Sequence, residues 1–247
     1  MIEVSVKDSK TFKYILESIS EIVDEASFTF FDDSFRIEGA DPSIISKIDV
    51  FLEKDFFSTF IVEDPVEFGV DMTSLDKVAK RILSGDMVTL LSHNRENMLE
   101  VILNGGFERR FDAPLIELNN NLPKIDLDFP AVLEMESEVF RNCIKDLAVA
   151  GGSVKFFVSP EELVLSSNGE LGNVVVTIDS ENDAMFGCEV SRPCEARYNL
   201  SYLMSFLKAG QISDTIKLSF GDRDFPLKLE FTLESGYMVF FLAPMEY

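Results

Sequence analysis

Two stretches of the sequence decide the fold: SKTFKYILESISEI at residues 9–22 and SEVFRNCIKDLAV at residues 137–149. Both carry apolar residues at spacings of three and four, the pattern of an amphipathic helix. Their apolar positions correspond at a constant offset of 128: Phe12 with Phe140, Leu16 with Ile144, and Ile19 with Leu147. The second stretch therefore reads as a repeat of the first.

The offset of 128 holds well beyond these helices. It aligns further apolar pairs over about ninety residues, among them Phe28 with Phe156, Val50 with Ile178, Leu75 with Leu203 and Leu99 with Leu227. Repeats shorter than about 50 residues are typical of solenoids, whereas a unit this long indicates two similar domains. We predict domains at residues 1–116 and 131–247, joined by a connector at 117–130 with three consecutive Asn and two Pro.

Each half is predicted as a helix, strands, a second helix and more strands. The second helices are expected at 73–84 and 200–210, ended by Gly85 and Gly210, and Ser9, Thr73 and Asn199 are the expected N-caps. Alternating apolar residues predict strands at 28–31, 35–37, 47–52, 88–91, 98–103, 154–158, 174–178, 216–220, 227–233 and 238–242. The fold class is therefore α+β, with four helices on antiparallel sheet.

The charge of the chain is unevenly distributed. It carries 44 acidic and 22 basic side chains, a net charge of −22 that should repel phosphate, but DNA responds to the local field within about 8 Å. The predicted helices hold five acidic residues against eight basic ones: Lys10, Lys13, Lys77, Lys80, Arg81, Arg141, Lys145 and Lys208. The helices thus sum to +3 and the remainder to −25. Basic residues at helical spacing predict sequence-independent contact with duplex DNA, against the alternative of an ordinary solvated helix face.

Targeting signals and disulfide patterns are both missing from the sequence. The first ten residues, MIEVSVKDSK, lack the layout of a signal peptide, and no apolar run approaches the roughly 18 residues that span a bilayer. The sequence predicts an intracellular protein without membrane contact. Cys143, Cys188 and Cys194 have no CxxC spacing and are expected to be buried free thiols.

An enzyme is the alternative from a different class. His93, the single histidine, lies in the polar run SHNREN, which predicts a surface turn. The carboxylate pairs at 32–33 and 161–162 occupy equivalent repeat positions between strands, where turn chemistry explains them better than a metal site. We expect no catalytic residue, no cofactor and no metal, and a carboxylate-dependent hydrolase remains the minor alternative.

Five short segments give the chain a family resemblance: EGADPS at 38–43, APLIEL at 113–118, SSNGELGN at 166–173, FPLKLEF at 225–231 and FLAP at 241–244. In this order and on a duplicated chain, they resemble PCNA, the sliding-clamp family of archaea and eukaryotes. The resemblance spans the whole chain. It implies a DNA-clamp fold in a trimeric ring, with twelve helices around duplex DNA, that serves DNA polymerase as a processivity factor.

The resemblance also implies three sets of site residues. The DNA-binding set is the eight basic helix residues already named. The partner-binding set forms a hydrophobic pocket beneath the connector: Ala40, Ile44, Leu122, Ile125, Pro226, Phe241, Ala243, Pro244 and Met245. The subunit-interface set joins two strands of neighbouring chains: Arg109, Arg110 and Phe111 in one, and Val174, Val176 and Ile178 in the other. Charge reversal at Lys47 or Lys54, outside the lining, is expected to change little.

The partners implied by the resemblance are duplex DNA, DNA polymerase, a clamp loader, a flap endonuclease and a DNA ligase. The ring closes with identical chains or with paralogues, and the sequence leaves both open. A checkpoint clamp of the same architecture is the alternative function. The expected location is the cytoplasm, with the nucleoid, in an archaeon and the nucleus in a eukaryote.

Overall fold

The computed structural model of the protein describes residues 1–92, 97–118, 122–170 and 172–246. The chain divides into two compact units. Unit 1 comprises Met1–Pro123 and Leu233–Met238, and unit 2 comprises Lys124–Thr232 and Val239–Tyr247. Among the helices of the described residues, none has the length and apolar character needed to cross a membrane.

Unit 1 places two helices on antiparallel sheet. Its elements are β1 (Ile2–Val6), α1 (Ser9–Ser20), β2 (Glu25–Phe30), β3 (Ser34–Ala40), β4 (Ser46–Glu53), β5 (Phe57–Val62), β6 (Val66–Asp71), α2 (Met72–Ala79), β7 (Met87–Ser92), β8 (Met98–Asn104) and β9 (Glu108–Ile116). The strands follow the orders β5-β1-β7-β8-β9 and β6-β2-β3-β4. The ends of β6 and β9 pair briefly at Gly69 and Val70 with Ile116 and Leu115. Helices α1 and α2 pack against each other.

Unit 2 repeats this arrangement. Its elements are β10 (Ala131–Glu136), α3 (Ser137–Ala148), β11 (Ser153–Val158), β12 (Glu162–Gly169), β13 (Gly172–Asp179), β14 (Met185–Val190), β15 (Cys194–Asn199), α4 (Leu200–Phe206), β16 (Thr215–Phe220), β17 (Leu227–Leu233) and β18 (Gly236–Leu242). The end of β17 and the start of β18 are counted with unit 1. The strand orders are β14-β10-β16-β17-β18 and β15-β11-β12-β13.

The predicted duplication is confirmed element by element. Helices α3 and α4 begin 128 residues after α1 and α2, and β11, β14, β15 and β16 begin 128 residues after β2, β5, β6 and β7. The cores are equivalent as well, since Phe12 and Phe140 are both buried, as are Phe28 and Phe156. Burial of the same apolar positions explains why the two halves share one fold.

The start of α1 is set by a carboxylate. Asp8 Oδ1 accepts hydrogen bonds from the backbone N–H groups of Lys10 at 3.0 Å and Thr11 at 3.1 Å. Partial burial alone would raise the pKa of Asp8, but the hydrogen bonds from Thr11 and Lys10 outweigh it and hold the pKa below its usual value. The prediction of Ser9 as N-cap was wrong, because Asp8 already satisfies these donors and Ser9 is the first helical residue.

The second helix of each unit is also capped by a side chain. Asp71 Oδ1 accepts from the Ser74 N–H at 2.9 Å, so Asp71 and not the predicted Thr73 caps α2. Asn199 is confirmed as the cap of α4, since its Oδ1 accepts from the Ser201 N–H at 2.8 Å. An acceptor directly before the first turn is favoured by the exposed N–H groups there.

Both second helices end earlier than predicted. Helix α2 ends at Ala79 and α4 at Phe206, so Gly85 and Gly210 do not cap them. Gly85 has a φ of +85° in the loop before β7, a conformation that favours glycine. Gly210 lies in a 3₁₀ turn, where an added Cβ would come within 2.8 Å of Arg141 Cδ.

Each predicted strand overlaps an observed strand. The structure adds several that the sequence did not single out, among them the edge strands β5 and β14. Their residues are mostly half-buried or exposed on both faces. A strand that is not covered on one face has no clean period of two, which is why it escaped prediction.

Candidate functional site

Five basic residues of unit 1 lie on α1 and α2 or directly after α2, and we call them the unit 1 basic surface: Lys10, Lys13, Lys77, Lys80 and Arg81. Lys10, Lys77 and Arg81 are exposed. Lys13 is half-buried and donates from Nζ to the Ile82 carbonyl oxygen at 3.3 Å. These residues are drawn together because α1 and α2 pack side by side.

Lys80 keeps its charge within this surface. Its Nζ lies 2.5 Å from Asp76 Oδ2, one helical turn earlier, while the side chain stays 59% exposed. The hydrogen bond to Asp76 raises the pKa of Lys80 above its usual value. The ammonium group is therefore charged at neutral pH and accessible to an anionic partner.

Unit 2 carries fewer basic residues on its helices. Arg141 and Lys145 lie on α3, and Lys208 follows the end of α4, which has no charged residue of its own. Lys145 is exposed, whereas Arg141 is half-buried with its stem against Gly210. The Arg141 Nε is buried and lacks a hydrogen-bond partner within the described residues.

The observed helix ends change the charge count. Within the four helices lie five basic residues, Lys10, Lys13, Lys77, Arg141 and Lys145, and four acidic ones, Glu17, Asp76, Glu138 and Asp146. The helices thus sum to +1 rather than the predicted +3, because three basic residues, Lys80, Arg81 and Lys208, and one acidic residue, Glu21, lie beyond the observed helix ends. The rest of the chain carries −23. The helices are still positive and the rest of the chain is still negative. The basic residues, however, are divided between the helices and the turns that follow them.

Three predicted docking residues lie in unit 1. Ala40 ends β3 and is half-buried, as is Leu122, while Ile44 is 58% exposed. Asp41 pins this loop, because its Oδ1 accepts from both the N–H at 2.5 Å and the hydroxyl at 3.1 Å of Ser46. Ile44 has a φ of +55°, unique among the described residues other than glycine. This conformation is unfavourable for a β-branched side chain.

The other predicted docking residues lie in unit 2, where Ile125 and Phe241 line a cavity of about 410 Å³ that we call the docking cleft. Its lining is the chain segment before β10 together with one face of the sheet: Ile125, Asp126, Leu127, Asp128, Phe129, Val132, Lys217, Ser219, Lys228 and Phe241. Five of these ten residues are apolar or aromatic and four are charged, so the cleft is more polar than a usual small-molecule site.

Pro226 and the C-terminal tail do not line this cleft. Pro226, Ala243 and Pro244 are half-buried, and Met245 is 36% exposed. The Met245 N–H donates to the Arg197 carbonyl oxygen at 2.7 Å, which holds the tail on unit 2. The tail residues therefore have a defined position on the surface of this unit.

Sequence reasoning missed the two lysines of the docking cleft, Lys217 and Lys228. Lys217 alternates with the buried residues Ile216 and Leu218 in β16. That alternation predicts on which face of β16 Lys217 lies, but it does not predict which other segment of the chain that face meets. Only the folded unit brings β16, β17 and the segment before β10 to one cavity.

The predicted interface residues Arg109, Arg110 and Phe111 lie in β9. This strand pairs with β8 along 108–114, whereas β6 meets it only at its last two residues. Within the described residues, the other edge of 108–114 is therefore unpaired. An open edge of this length is a template for another strand.

Arg109 is engaged inside unit 1. Its guanidinium group forms an ion pair with Asp86, whose side chain is 3% exposed, and Nη1 donates to the Arg81 carbonyl oxygen at 2.7 Å. The guanidinium carbon also lies 5.0 Å from the centre of the Phe107 ring. Arg109 thus holds the loop before β7, and its side chain is 18% exposed.

The other predicted interface strand, β13, lies at an edge of unit 2. In the described part of the chain it pairs with β12 and with no other strand. Val174 and Val176 are half-buried, Ile178 is buried, and Val175 is 52% exposed. This edge offers unpaired backbone groups beside apolar side chains.

The equivalent edge in unit 1 is covered. There, the Glu53 N–H donates to the Ser235 carbonyl oxygen at 3.0 Å, and the Phe51 and Tyr237 rings stack at 5.4 Å. The strand covered is β4, the repeat counterpart of β13. The covering segment leads into β18, which begins 128 residues after β9.

The carboxylate pairs singled out in the sequence lie in turns. Ser34 Oγ donates to Asp33 Oδ1 at 2.8 Å between β2 and β3, and Ser159 Oγ donates to Glu161 Oε2 at 2.7 Å between β11 and β12. Over the described ranges, no group of three or more His, Cys, Asp or Glu residues is placed to hold a metal ion. His93 lies outside the described residues.

Two minor expectations need correction. Cys143 and Cys194 are buried, but Cys188 is only half-buried. The Lys47 side chain is 8% exposed, and its Nζ lies 3.2 Å from both Glu38 Oε1 and the Pro123 carbonyl oxygen. Charge reversal at Lys47 would therefore break a partly buried ion pair, contrary to the expectation that it changes little. Lys54 is exposed and remains suitable as a control.

Both units match models of one protein family. Residues 1–129 match the model described as proliferating cell nuclear antigen, N-terminal domain, and residues 124–246 match that of the C-terminal domain. The DNA polymerase sliding clamp of Pyrococcus furiosus is 30% identical over 246 residues, which cover 98% of this chain and 97% of the relative. DNA polymerase sliding clamp 3 of Sulfurisphaera tokodaii is 30% identical over 244 residues, 98% of each chain.

Solved structures agree with these relatives. The crystal structure of PCNA from Thermococcus kodakaraensis superposes with a TM-score of 0.91 at 24% identity, covering 99% of this chain and 100% of that one, and shows a shared fold. A chain of the PCNA2–PCNA3 complex from Sulfolobus tokodaii superposes with a TM-score of 0.90 at 29% identity over 98% of each chain.

Proposed function

Because the chain belongs to the proliferating cell nuclear antigen family, we propose that it is a DNA polymerase sliding clamp, a subunit of a ring that encircles duplex DNA and performs no chemistry. The geometric observation that supports a ring most directly is that each chain has two open strand edges among its described residues. One edge is residues 108–114 of β9 and the other is β13.

The internal repeat indicates that these two edges fit each other. In unit 1, β4 is covered by the segment that begins β18, and the counterparts of these two strands are β13 and β9. A contact of β9 with β13 of a second chain would repeat a pairing that this sequence already makes. Two different edges that match produce a head-to-tail contact, which closes into a ring if the rotation permits.

In this proposal, three chains form the ring. Residues 117–130 connect the two domains of each chain. Three chains of two units supply twelve helices. Side by side at about 8–10 Å, twelve helices make a circle of axes about 30–38 Å across, which leaves room for a DNA duplex after helix thickness is subtracted. Identical chains and paralogues both satisfy this arrangement, and the relative from Sulfolobus tokodaii is a PCNA2–PCNA3 complex.

The basic residues on and after the helices suit the inner wall of such a ring. Lysine and arginine side chains neutralise DNA phosphates whatever the base sequence is. Without side chains placed to read base edges, such contacts carry no sequence specificity. The acidic remainder of the chain, at −23, opposes binding elsewhere on the surface. The proposal therefore predicts weak, salt-sensitive contact that permits sliding.

Partner enzymes would dock through short peptides. Ile44 on the pinned loop of unit 1 and the docking cleft of unit 2 both expose apolar surface for aromatic anchors. DNA polymerase, a clamp loader, a flap endonuclease and a DNA ligase are the proposed partners. The protein would act beside the chromosome, in the cytoplasm of an archaeon or the nucleus of a eukaryote.

The test is topological. The chain, alone or with its paralogues, is loaded by its clamp loader on closed circular DNA and on the same plasmid cut once, and the amount retained after gel filtration is compared. A ring should stay on the closed form and slide from the free ends of the cut form. Equal retention on the two forms would contradict the proposal, and so would a native mass below that of about three chains for the loaded species.

A further inference from the structure

A cavity of about 870 Å³ lies in unit 1 between the start of α1 and the loop before β7, and we call it the lysine cavity. Three of its lining residues are lysines: Lys7 in the turn before α1, and Lys10 and Lys13 on the helix. Its volume lies within the range of about 300–1,000 Å³ that is typical of small-molecule sites. Lys10 and Lys13 belong to the unit 1 basic surface, whereas Lys7 belongs to none of the three predicted sets of site residues.

The three lysines have no carboxylate partner within ion-pair distance among the described residues. Lys7 Nζ donates to the Asp55 carbonyl oxygen at 2.8 Å, and Lys13 Nζ donates to the Ile82 carbonyl oxygen at 3.3 Å. The Lys10 ammonium group makes neither a hydrogen bond nor an ion pair within the described chain. Each lysine thus keeps donors for an anion, and hydrogen bonds from ammonium groups to ionised acceptors are among the stronger ones.

The carboxylates that line the same cavity are engaged with other groups. Asp8 accepts three hydrogen bonds from the first turn of α1, and it attracts Lys10 only from beyond ion-pair distance. Asp86 forms an ion pair with Arg109. Glu17 lies near enough to Lys80 to attract it. These carboxylates therefore leave the three ammonium groups of the cavity unpaired at short range.

The internal repeat shows that the fold does not require Lys7. Val6 and Met135 are equivalent, because each faces the equivalent residue of the next strand in its unit. Between Val6 and the first residue of α1 lie Lys7 and Asp8, whereas between Met135 and the first residue of α3 lies Glu136 alone. The turn of unit 1 is thus one residue longer, and the additional residue brings a lysine to the cavity.

Two further lining residues differ between the units. Lys10 corresponds to Glu138 in unit 2, so the charge is reversed there. Ser58 at the start of β5 corresponds to Phe186 at the start of β14. Because unit 2 forms the same fold without these residues, the lysines of unit 1 have a role other than folding.

The apolar part of the lining suits a flat ring. Leu83 and Met87 are 54% and 44% exposed, and Tyr14 in the same lining is half-buried. Covering exposed apolar side chains removes them from water, which is favourable. The thioether of methionine also makes favourable contacts with aromatic rings. The lysine cavity therefore offers ammonium groups and apolar surface to one ligand.

We propose that the lysine cavity binds a nucleoside di- or triphosphate. The phosphates pair with Lys7, Lys10 and Lys13. The base lies against Leu83 and Met87. A ligand with several adjacent negative charges is required to engage three ammonium groups together, and a chain of phosphates supplies them. This inference goes beyond the proposed function, and the binding itself does not depend on whether the chain forms a ring.

Competing anions fit this cavity less well. Inorganic polyphosphate would pair with the lysines but would leave Leu83 and Met87 exposed to water. An acidic peptide carries one charge on each carboxylate, so it places fewer charges near three neighbouring ammonium groups than a triphosphate does. A nucleotide satisfies both parts of the lining at once.

Nucleotide binding would oppose DNA binding, because Lys10 and Lys13 take part in both. Two ligands that compete for the same charged groups each lower the affinity of the other by the same factor. We therefore expect a bound nucleotide to shorten the time that the ring stays on closed DNA. This consequence, unlike the binding itself, rests on the proposed function.

Calorimetric titration of the native protein with ATP, tripolyphosphate and adenosine, without divalent cations, tests the site. We expect saturable binding of ATP, weaker binding of tripolyphosphate and none of adenosine. Lys7→Gln should weaken ATP binding about fivefold, the upper range for an exposed ion pair. Lys124→Gln, an exposed lysine outside the cavity, should change nothing. Absence of saturable ATP binding at millimolar concentrations, or equal losses in the two variants, would overturn the inference.

The contact with the base has its own variant. Met87→Ala should weaken ATP binding about threefold, because it removes apolar contact area, and should leave tripolyphosphate binding unchanged. Lys7 and Met87 are both exposed, so these variants should fold, and their unfolding transitions check this. Equal affinity of the native protein for ATP and tripolyphosphate would refute the assignment of the ligand as a nucleotide.

Retention on DNA then tests the competition. The chain is loaded on closed circular DNA, the clamp loader and its nucleotide are removed by gel filtration, and ATP is added at constant ionic strength. Added ATP should shorten retention of the native protein but not of Lys7→Gln, which should be retained normally without ATP. If ATP binds but leaves native retention unchanged, the competition is refuted and the site stands. If neither protein is retained on closed DNA, the proposed function fails, whereas calorimetric ATP binding would still support the site.

Discussion

At the scale of the residue, Ile44 stands out because it combines an unfavourable backbone with an exposed apolar side chain. Its φ of +55° is expected to cost about 1–2 kcal/mol relative to an ordinary conformation. Burial of the Ile44 side chain does not offset this cost, because the side chain is 58% exposed. We expect Ile44→Gly to raise the free energy of unfolding by about 0.5–1 kcal/mol, after the entropy of glycine is subtracted, and to weaken peptide binding.

Urea unfolding at fixed chain concentration and peptide titration measure these opposite effects. The control is Ile45→Gly, next to it and 39% exposed but without a positive φ, which should lower the free energy of unfolding. If both variants lose stability alike, Ile44 is not strained. If Ile44→Gly binds peptides as tightly as the native chain, the side chain has no docking role.

At the scale of the element, β13 has one edge on β12 and one edge open. The N–H groups of an antiparallel strand point alternately to its two sides, so Val175 and Val176 donate in opposite directions. Proline removes the donor at either position. We expect one of Val175→Pro and Val176→Pro to dissociate the ring while the chain stays folded, and the other to destabilise unit 2 by about 1–3 kcal/mol.

Sedimentation of the two variants, together with their unfolding curves, tests this expectation. Each variant is the control for the other, because the two substitutions are chemically the same and lie at adjacent positions. Ring-sized particles for both variants would show that β13 does not carry the subunit contact. Arg109 is less suitable for this test, because its removal would leave Asp86 buried without its ion-pair partner.

At the scale of the whole molecule, the charge asymmetry predicts how DNA is held. Changing Lys77, Lys80 and Arg81 together to Glu should reduce retention on closed circular DNA and flatten the salt dependence of binding by about one unit for each lost phosphate contact. The native mass and peptide binding should not change. The salt slope of retention, measured at several salt concentrations, provides the comparison.

The matched control changes the net charge equally but away from the helices, at Lys54, Lys124 and Lys155. Lys54 and Lys124 are exposed, and the Lys155 side chain is 38% exposed. If this control lowers retention as much as the helix variant does, net charge rather than the position of the basic residues governs binding. The helical charge asymmetry would then have no role in holding DNA.

Local and repeated features could be predicted from the sequence. The apolar spacing of 9–22 and 137–149 identified α1 and α3, and the offset of 128 identified the duplication, because burial on one face imposes a helical period on any sequence. Helix ends were less predictable. Glycines suggested ends at Gly85 and Gly210, but the helices end at Ala79 and Phe206. Gly85 instead provides a positive φ in the loop before β7, and Gly210 lies in a 3₁₀ turn against Arg141.

The sequence by itself determined the fold class, the repeat and the sign of the charge on the helical regions. The tertiary structure decided which side chains meet. It turned Arg109 inward onto Asp86, buried Lys47 against Glu38, and brought Lys217 and Lys228 into the lining of one cleft. The physical reason is that periodicity depends on neighbours a few positions away, whereas ion pairs and clefts join residues from distant strands, whose pairing is decided only when the unit packs.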